Sequence, residues 1–349
     1  MKLTQSDFGR VEGRSVSLFT LENDNGMTVK LTNYGGIVTS IVIPDARGER
    51  GDVVCGFDTL EGYFGDTYRE NAPYFGCIVG RYAGRIKDGR FTLGGHTYQL
   101  ATNDGSNHLH GGIVGFDKKV WDAEPVETED AVAVRLSLVS PDGDEGYPGR
   151  VQVTVEYRLD NTNALSIRYT ATTDKATPLS LTNHTYFNLN GFSENILDHT
   201  AQIHADIRMV PDETNVPVGE TEQVAGTPRD LREPRKLREC FAGLPMGFED
   251  FYIFREPAGT LRVVARFEEE TSGRSLEVAT TEPGMMFYTS HYMSDDLKRE
   301  DGTRFGQYRA FCCETSKLLN GPNLPDGPHG VLEPGATYDE TTVFRFAWS

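Results

Sequence analysis

The sequence predicts a mainly β fold, and three observations support this. Several segments are rich in β-branched and aromatic residues with apolar side chains near every second position, which is typical of strands; they are residues 131–140, 151–159, 164–173, 261–267 and 341–348. The stretches between them, such as SPDGDEGYPG and NGPNLPDGPHG, are rich in turn-forming residues. Only residues 58–65 and 231–240 are compatible with helices, and both segments are short. A mainly β chain of 349 residues is expected to form a large sandwich or barrel.

The chain length fits one large domain or two ordinary ones. With 38% hydrophobic and 25% charged residues, the chain has the composition of a soluble globular protein with a real core. No internal repeat or low-complexity linker divides it. The Pro- and charge-rich segment 211–239 is the best candidate for a boundary, but apolar residues are mixed into it. We therefore interpret that segment as a long surface excursion and predict a single domain over residues 1–349.

The charge balance narrows the range of partners. The chain has 52 acidic and 34 basic side chains, a formal net charge of -18. Such a surface repels nucleic acid and anionic membranes, so we expect neither as a partner and expect a small molecule instead. No stretch approaches the roughly 20 apolar residues of a membrane helix, and the N-terminal residues lack the apolar run of a signal peptide. We expect a cytoplasmic protein.

The five cysteines show no metal-binding spacing. They are Cys55, Cys77, Cys240, Cys312 and Cys313, an odd number with no C-x-x-C pair. This pattern favours buried free thiols in a reducing compartment over disulfides or a zinc site.

The stretch NHLHGG contains two histidines, His108 and His110, separated by one residue. In a strand, alternate residues share a face, so both imidazoles are predicted on the same side. A metal site would use that geometry but needs further ligands, and no other H-x-H or H-x-x-x-H occurs. The alternatives are a pocket that grips a polar ligand and a plain pair of surface histidines.

Two further stretches suggest a ligand pocket. In GRYAGRI, Arg81 and Arg85 lie among glycines, where the backbone can approach a ligand and the guanidinium offers several donors; two surface arginines are the alternative. In LTNHTYFNLNG, strand alternation places polar and aromatic side chains on one face, which suits binding of a polyol; they are Thr182, His184, Tyr186 and Asn188. A solvated strand face is the alternative there.

Glu314 follows the apolar run AFCC, so its carboxylate is expected at the edge of the core. Burial raises the pKa of a carboxyl group and prepares it for acid or base chemistry. A glutamate that points into water at a strand end is the alternative. His184 and Glu314 would form an acid/base pair if the fold brought them together, which their spacing does not decide.

Taken together and in this order, the segments GRYAGRI, NHLHGGIVGFDKKVW, LTNHTYFNLNG, GFEDFYIF, PGMMFYTSHY and FCCET resemble the aldose 1-epimerases, also called galactose mutarotases. The ending LEPGATYDETTVFRF also resembles the family's last strands, so the resemblance covers most of the chain. It implies an all-β fold, the large antiparallel β-sandwich of galactose mutarotases with few short helices, and an active site in an open cleft on one sheet.

The resemblance also implies an activity: interconversion of the α and β anomers of free aldohexoses such as galactose or glucose, without metal or cofactor. It makes His184 the general acid and Glu314 the general base. It makes Arg85 and His110 sugar ligands, and Tyr186 is expected beside them.

The acidic sugar ligand of the family falls in GFEDF, where either Glu249 or Asp250 would serve. Gly84 and Met286 depart from the residues common in the family, at positions that contact substrate, so the preferred sugar stays open. We expect a monomer or a homodimer.

Three other functions fit the residues less well. A hexose-6-phosphate 1-epimerase would need a second basic cluster, and only Arg81, Arg85 and Lys87 are available. A glycoside hydrolase would need two carboxylates flanking the bond, and only Glu314 is well motivated. A non-catalytic sugar-binding or sensing module would keep Arg85 and His110 but has no need of both His184 and Glu314.

Overall fold

Strands dominate the computed structural model, which describes residues 1–349: 47% of residues lie in strands and 8% in helices. The first nine strands are β1 (Lys2–Val11), β2 (Arg14–Glu22), β3 (Thr28–Thr32), β4 (Val38–Pro44), β5 (Arg50–Asp52), β6 (Ile78–Val79), β7 (Arg85–Ile86), β8 (Arg90–Leu93) and β9 (His96–Gln99). The next ten are β10 (His108–Leu109), β11 (Asp122–Glu127), β12 (Ala131–Ser140), β13 (Val151–Asp160), β14 (Ala164–Thr173), β15 (Thr177–Pro178), β16 (Thr182–Asn183), β17 (Tyr186–Phe187), β18 (Thr200–Ile203) and β19 (Ala205–Pro211). The last nine are β20 (Pro217–Gln223), β21 (Arg235–Lys236), β22 (Glu249–Phe254), β23 (Arg262–Glu269), β24 (Arg274–Thr280), β25 (Gly284–Tyr288), β26 (Phe311–Ser316), β27 (Val331–Leu332) and β28 (Tyr338–Trp348).

Helices are few and short, as predicted. The two α-helices are α1 (Asp66–Asn71) and α2 (Leu237–Phe241). Five single turns of 3-10 helix occur at Leu60–Phe64, Lys87–Gly89, Phe116–Lys118, Asp144–Gly146 and Gly321–Asn323. Segment 58–65 therefore forms a 3-10 turn with α1 directly after it, and α2 overlaps the end of segment 231–240. No helix is long and apolar enough to cross a membrane.

The strands form three large antiparallel sheets. One has five strands in the order β1-β2-β3-β4-β5, one has nine in the order β11-β12-β13-β14-β28-β24-β23-β18-β21, and one has six in the order β17-β26-β25-β22-β19-β20. Four two-stranded ladders, β6–β16, β7–β10, β8–β9 and β15–β27, connect the loops around them. All five strands predicted from the sequence form, and they differ from the prediction only at their ends.

One large core joins the three sheets. It contains 54 buried side chains, and every large sheet contributes to it. Strand β13 shows how: Val153, Val155 and Tyr157 are buried, and the residues between them are not, which is the period-two pattern of a sheet covered on one face. The nine-stranded sheet therefore packs against the other two as a β-sandwich, which confirms the predicted fold class.

The six-stranded sheet is buried on both faces at its centre. On β26, Phe311 and Cys313 belong to the main core, whereas Cys312 belongs to a second cluster of 20 buried residues on the opposite side. Glu314 and Ser316 share the side of Cys312, since alternate residues of a strand face the same way. That outer face carries the cavity described below.

Segment 211–239 lies mainly at the surface, as interpreted from the sequence, but it also contributes two edge strands. It contains β20, the edge of the six-stranded sheet, and β21, the edge of the nine-stranded sheet. All five cysteines are buried and unpaired, as predicted. The single-domain organisation stays a prediction, which the continuous core supports.

Candidate active site

A cavity of about 300 Å³ lies on the outer face of the six-stranded sheet. Strands β17, β22, β25 and β26 form its floor, and the segments around β7 and β10 form one wall. Six of the seven residues predicted for the site line this cavity: Arg85, His110, His184, Tyr186, Glu249 and Glu314. The seventh, Asp250, does not.

His184 and Glu314 meet at the bottom of the cavity. Nε2 of His184 lies 3.5 Å from Oε2 of Glu314, and the two side chains are only 5% and 7% exposed. His184 is in the two-residue link between β16 and β17, and β17 pairs with β26 so that Tyr186 is opposite Cys312. Because the two strands are antiparallel, this register places His184 beside Glu314.

Burial controls the charge of this pair. It lowers the pKa of His184 to about 4 and raises the pKa of Glu314 to about 8. The negative charge of Glu249 raises the pKa of Glu314 further, and the positive charge of Arg85 opposes this. Near neutral pH the empty cavity therefore favours an uncharged imidazole beside a protonated carboxyl group, with one exchangeable proton between them.

Two tyrosine rings hold the imidazole of His184. The ring of Tyr186 lies 5.0 Å from it and that of Tyr74 lies 6.0 Å from it, both within about 22° of parallel. The predicted shared face of His184 and Tyr186 is thus present. Thr182 and Asn188, predicted on that face too, are buried and do not line the cavity.

His110 presents one nitrogen to the cavity. Its Nδ1 accepts a hydrogen bond of 3.2 Å from the backbone N–H of Gly84. The backbone N–H of His110 in turn donates to the carbonyl of Gly84 at 3.1 Å. Burial lowers the pKa of His110 well below its usual value. A neutral imidazole that accepts at Nδ1 carries its proton on Nε2, so His110 is a hydrogen-bond donor to the cavity.

His108 has a different role, and the predicted common face of His108 and His110 is wrong. Strand β10 ends at Leu109, and His110 adopts a left-handed φ of 50°, which turns its side chain away from that of its neighbour. His108 is buried with its ring nitrogens 2.8 Å from the carbonyl of Ala101 and 2.8 Å from the hydroxyl of Tyr147. It is a satisfied core histidine.

Two carboxylates fix Arg85. Its Nε donates to Asp104 at 2.6 Å and its Nη1 donates to Glu249 at 3.1 Å, and Nδ2 of Asn215 donates to the same Glu249 oxygen. Asp104 and Asn215 were not predicted, because they come from loops far apart in sequence and only the fold brings them to Arg85 and Glu249. Arg81, by contrast, is buried and donates to Ser140 and to backbone carbonyls, so its guanidinium stabilises a loop.

Of the two adjacent acids on β22, only Glu249 reaches the cavity. Asp250 points to the other face, where Arg208 and Arg229 donate to it at 2.9 and 2.7 Å. Neighbouring residues of a strand face opposite sides, so the sheet separates the two candidates.

Gly84 and Met286 both line the cavity. Gly84 has a φ of 79°, and a Cβ built on it would lie 2.4 Å from Cδ2 of Leu319, so a side chain there requires that leucine to move. Met286 lies directly opposite Glu314 in the sheet and makes that part of the wall apolar.

A metal ion would also find ligands here. His110, His184 and Glu314 each place one ligand atom within 4.8 Å of the others. Three nitrogen and oxygen ligands of this kind are what a catalytic zinc site uses. The same three groups are equally suited to exchanging protons with a ligand.

Comparison with known proteins identifies the family. The model of the family described as Aldose 1-epimerase matches residues 17–345. The chain belongs to the aldose 1-epimerase family. Galactose mutarotase from Bos taurus is 40% identical in an alignment that covers 99% of each chain. Aldose 1-epimerase from Escherichia coli K12 is 33% identical in an alignment that covers 96% of each chain. The crystal structure of galactose 1-epimerase from Lactobacillus acidophilus is 29% identical, covers 99% of this chain and 98% of its own, and superimposes with a TM-score of 0.86. Membership of this family makes the protein an isomerase.

Proposed function

We propose that the protein is an aldose 1-epimerase that interconverts the α and β anomers of free aldohexoses such as galactose or glucose. The observation that carries this proposal is the buried contact between His184 and Glu314 in a cavity of about 300 Å³. That volume is at the low end of the roughly 300–1,000 Å³ typical of ligand pockets and suits a monosaccharide. The names of the relatives point to the same reaction.

The reaction needs two proton transfers. Glu314 takes the proton of the anomeric hydroxyl while the bond from C1 to the ring oxygen breaks, and Nε2 of His184 gives a proton to that ring oxygen. The open-chain aldehyde then turns about its C1–C2 bond, and closure runs the same transfers in reverse to give the other anomer. Each positioned proton transfer typically contributes ~100- to 10,000-fold to the rate.

One proton serves the whole cycle. Ring opening starts with a protonated His184 and an ionised Glu314, and it ends with a neutral imidazole and a protonated carboxyl group. Burial favours this second state, because the cavity disfavours charge on either group. The sugar carries the proton from His184 to Glu314 as the ring opens, and ring closure returns it.

The remaining polar groups hold the sugar. His110 donates from Nε2, and the Arg85–Glu249 pair offers donors and acceptors to neighbouring hydroxyl groups. Tyr186 lines the cavity beside His184, where its ring packs against the imidazole. Asp250 has no part in this assignment, because its carboxylate is directed at Arg208 and Arg229.

We propose that no metal or cofactor takes part, because the two side chains supply both proton transfers by themselves. A phosphorylated sugar is disfavoured, because the cations near the cavity are already neutralised: Arg85 pairs with Asp104 and Glu249, and Lys87 pairs with Asp212. A purely binding protein would not need a buried acid/base pair.

Polarimetry tests the proposal. Freshly dissolved α-D-glucose and α-D-galactose are followed with and without protein that has been treated with a chelator. Faster decay to the unchanged equilibrium rotation establishes a metal-independent epimerase, and the ratio of the two rates begins to define the sugar preference. No acceleration with these sugars, arabinose or xylose would refute it.

Action in the cytoplasm, as a monomer or a homodimer, is part of the same proposal. The five buried unpaired thiols support a reducing compartment. Size-exclusion chromatography with light scattering measures the oligomeric state.

A further inference from the structure

Strand β26 contacts both nitrogens of the His184 imidazole. Glu314 faces Nε2, with 3.5 Å between Oε2 and the nitrogen, and Cys312 faces Nδ1, with 3.6 Å between Sγ and the nitrogen. The two residues are two positions apart and therefore lie on the same face of the strand. A thiol at this distance is within hydrogen-bonding range, since sulfur forms longer bonds than oxygen.

No other side chain around His184 replaces this contact, although the backbone carbonyl of His184 also favours a protonated ring. The rings of Tyr74 and Tyr186 stack on the imidazole, and the ring of His110 meets it at 79° with 5.3 Å between centroids. Faces of aromatic rings offer no in-plane acceptor to Nδ1. The thiol of Cys312 is the side-chain partner that Nδ1 has.

We infer that Cys312 is a positioning residue for the reaction: its sulfur accepts the hydrogen bond of Nδ1–H, so that Nε2 is the nitrogen that gains and loses the catalytic proton. This inference rests on the proposed role of His184 as the general acid.

The protonation of Glu314 supports this direction of the hydrogen bond. In the open-ring state of the proposed reaction Glu314 carries the proton, and Nε2, which faces it at 3.5 Å, has given its own proton to the sugar. A neutral imidazole in that state has its proton on Nδ1, facing the sulfur. In the other tautomer Nδ1 would carry no proton, and the thiol S–H would have to donate to it.

The thiol is suited to this role because it stays neutral. Burial raises the pKa of Cys312 well above its usual value, and the nearby charge of Glu314 adds to the effect. A carboxylate at this position would hold a second charge beside Glu314 and would compete with it for the proton. A neutral sulfur orients the imidazole of His184 without competing with Glu314 for the catalytic proton.

The adjacent Cys313 provides a matched control. It is buried to the same extent, but it lies on the opposite face of β26, in the main core. Replacing either cysteine by alanine removes the same atoms from the same strand. Only the change at position 312 removes a contact to His184.

The test compares Cys312→Ala, Cys312→Ser and Cys313→Ala by polarimetry across pH. We expect Cys312→Ala to lower kcat about 3- to 10-fold with little change in KM, which is the loss of one ordinary hydrogen bond expressed as a rate. Cys312→Ser, which keeps an acceptor, should recover most of that loss, and Cys313→Ala should retain the wild-type kcat. Equal rates in Cys312→Ala and Cys313→Ala, or no recovery in Cys312→Ser, would overturn the inference.

A spectroscopic measurement separates this inference from the proposed function. Long-range ¹H–¹⁵N correlation spectra report the tautomer of His184, with the signal assigned by a His184→Gln variant. Wild-type protein and Cys313→Ala should show the Nδ1–H tautomer, and Cys312→Ala should show a mixture. An Nε2–H tautomer in wild-type protein contradicts the role of Cys312 even if the enzyme is active. An inactive wild-type protein contradicts the proposed function, whatever the tautomer.

Discussion

Glu314 and Glu282 are two buried glutamates with opposite surroundings. Both residues are buried, and burial raises the pKa of Glu314 to about 8 and that of Glu282 to about 7. Glu282 is closed in by partners: Lys317 lies 2.9 Å from it, and the hydroxyl of Tyr338 donates to it at 2.7 Å. Glu314 contacts His184 and faces an open cavity.

The difference shows that a raised pKa alone does not identify a catalytic acid or base. Desolvation acts on any buried carboxyl group, and structural ion-pair networks also shift pKa values. Glu314 differs from Glu282 in two respects. A ligand in the cavity can reach it, and a second titratable group, His184, lies close enough to exchange a proton with the same ligand. Four predictions test this contrast.

The largest effect is expected for Glu314→Gln. It removes the base and keeps the shape of the side chain, so kcat should fall ~100- to 10,000-fold. The matched Glu282→Gln variant should keep kcat within about threefold, since that carboxyl group touches no substrate. Polarimetry at saturating sugar measures both. Comparable losses in the two variants would mean that Glu314 acts through stability and not through chemistry.

Substitution of the cation near each glutamate, Arg85 for Glu314 and Lys317 for Glu282, should also give different effects. Arg85→Met is expected to raise KM about 10- to 100-fold, because hydrogen bonds to a charged group contribute about 1.5–3 kcal/mol. Lys317→Met should leave KM unchanged and lower the thermal stability, because it unpairs Glu282 and Glu340. Initial rates over a range of sugar concentrations and a thermal melt distinguish these outcomes. An unchanged KM in Arg85→Met would remove that residue from the sugar site.

The pH dependence of the rate should report the His184–Glu314 pair. Catalysis needs one proton on the pair, so kcat/KM should be level between about pH 4 and about pH 8 and should fall on both sides. Glu249→Gln removes a negative charge that raises the pKa of Glu314, so the alkaline limb should move to lower pH.

Glu282→Gln is the control for this shift, and its alkaline limb should not move. An unmoved limb in Glu249→Gln would show that Glu314 does not set it.

The smallest effect concerns stability, where the two glutamates should behave alike. Each has a folded-state pKa above the ordinary value of about 4.5, so between those values the native state binds a proton that the unfolded chain does not. Rising pH therefore favours unfolding, by up to about 3 kcal/mol for Glu282.

Glu282→Gln and Glu314→Gln should each flatten part of this decline in urea unfolding at pH 5 and pH 8. A decline as steep as in wild-type protein would show that the replaced carboxyl group is already ionised in the native state.

The sequence predicted the features that depend on local periodicity. The strands at 131–140 and 164–173 have the predicted bounds, because a sheet covered on one face requires a period of two. His184 and Tyr186 share the predicted face, and Glu314 lies at the edge of an apolar run as expected.

The remaining site features depend on the fold as a whole. His110 faces the cavity because it adopts a left-handed φ itself, which breaks the alternation of side chains along the strand. Whether Glu249 or Asp250 enters the cavity is decided by how β22 pairs with β25, and no local pattern contains that register. Asp104 and Asn215 come together only at Arg85 and Glu249, through contacts between distant loops.

The alternation along β26 also has a consequence for how this family can diverge. Insertion or deletion of a single residue in that strand would exchange its two faces, sending Glu314 into the core and Phe311 or Cys313 into the cavity. The acid/base residue Glu314 thus lies on a strand whose length cannot change by one residue without loss of the site. Met286 lines the cavity on β25 without taking part in the proton transfers, so preference for a new sugar can evolve there while the reaction stays the same.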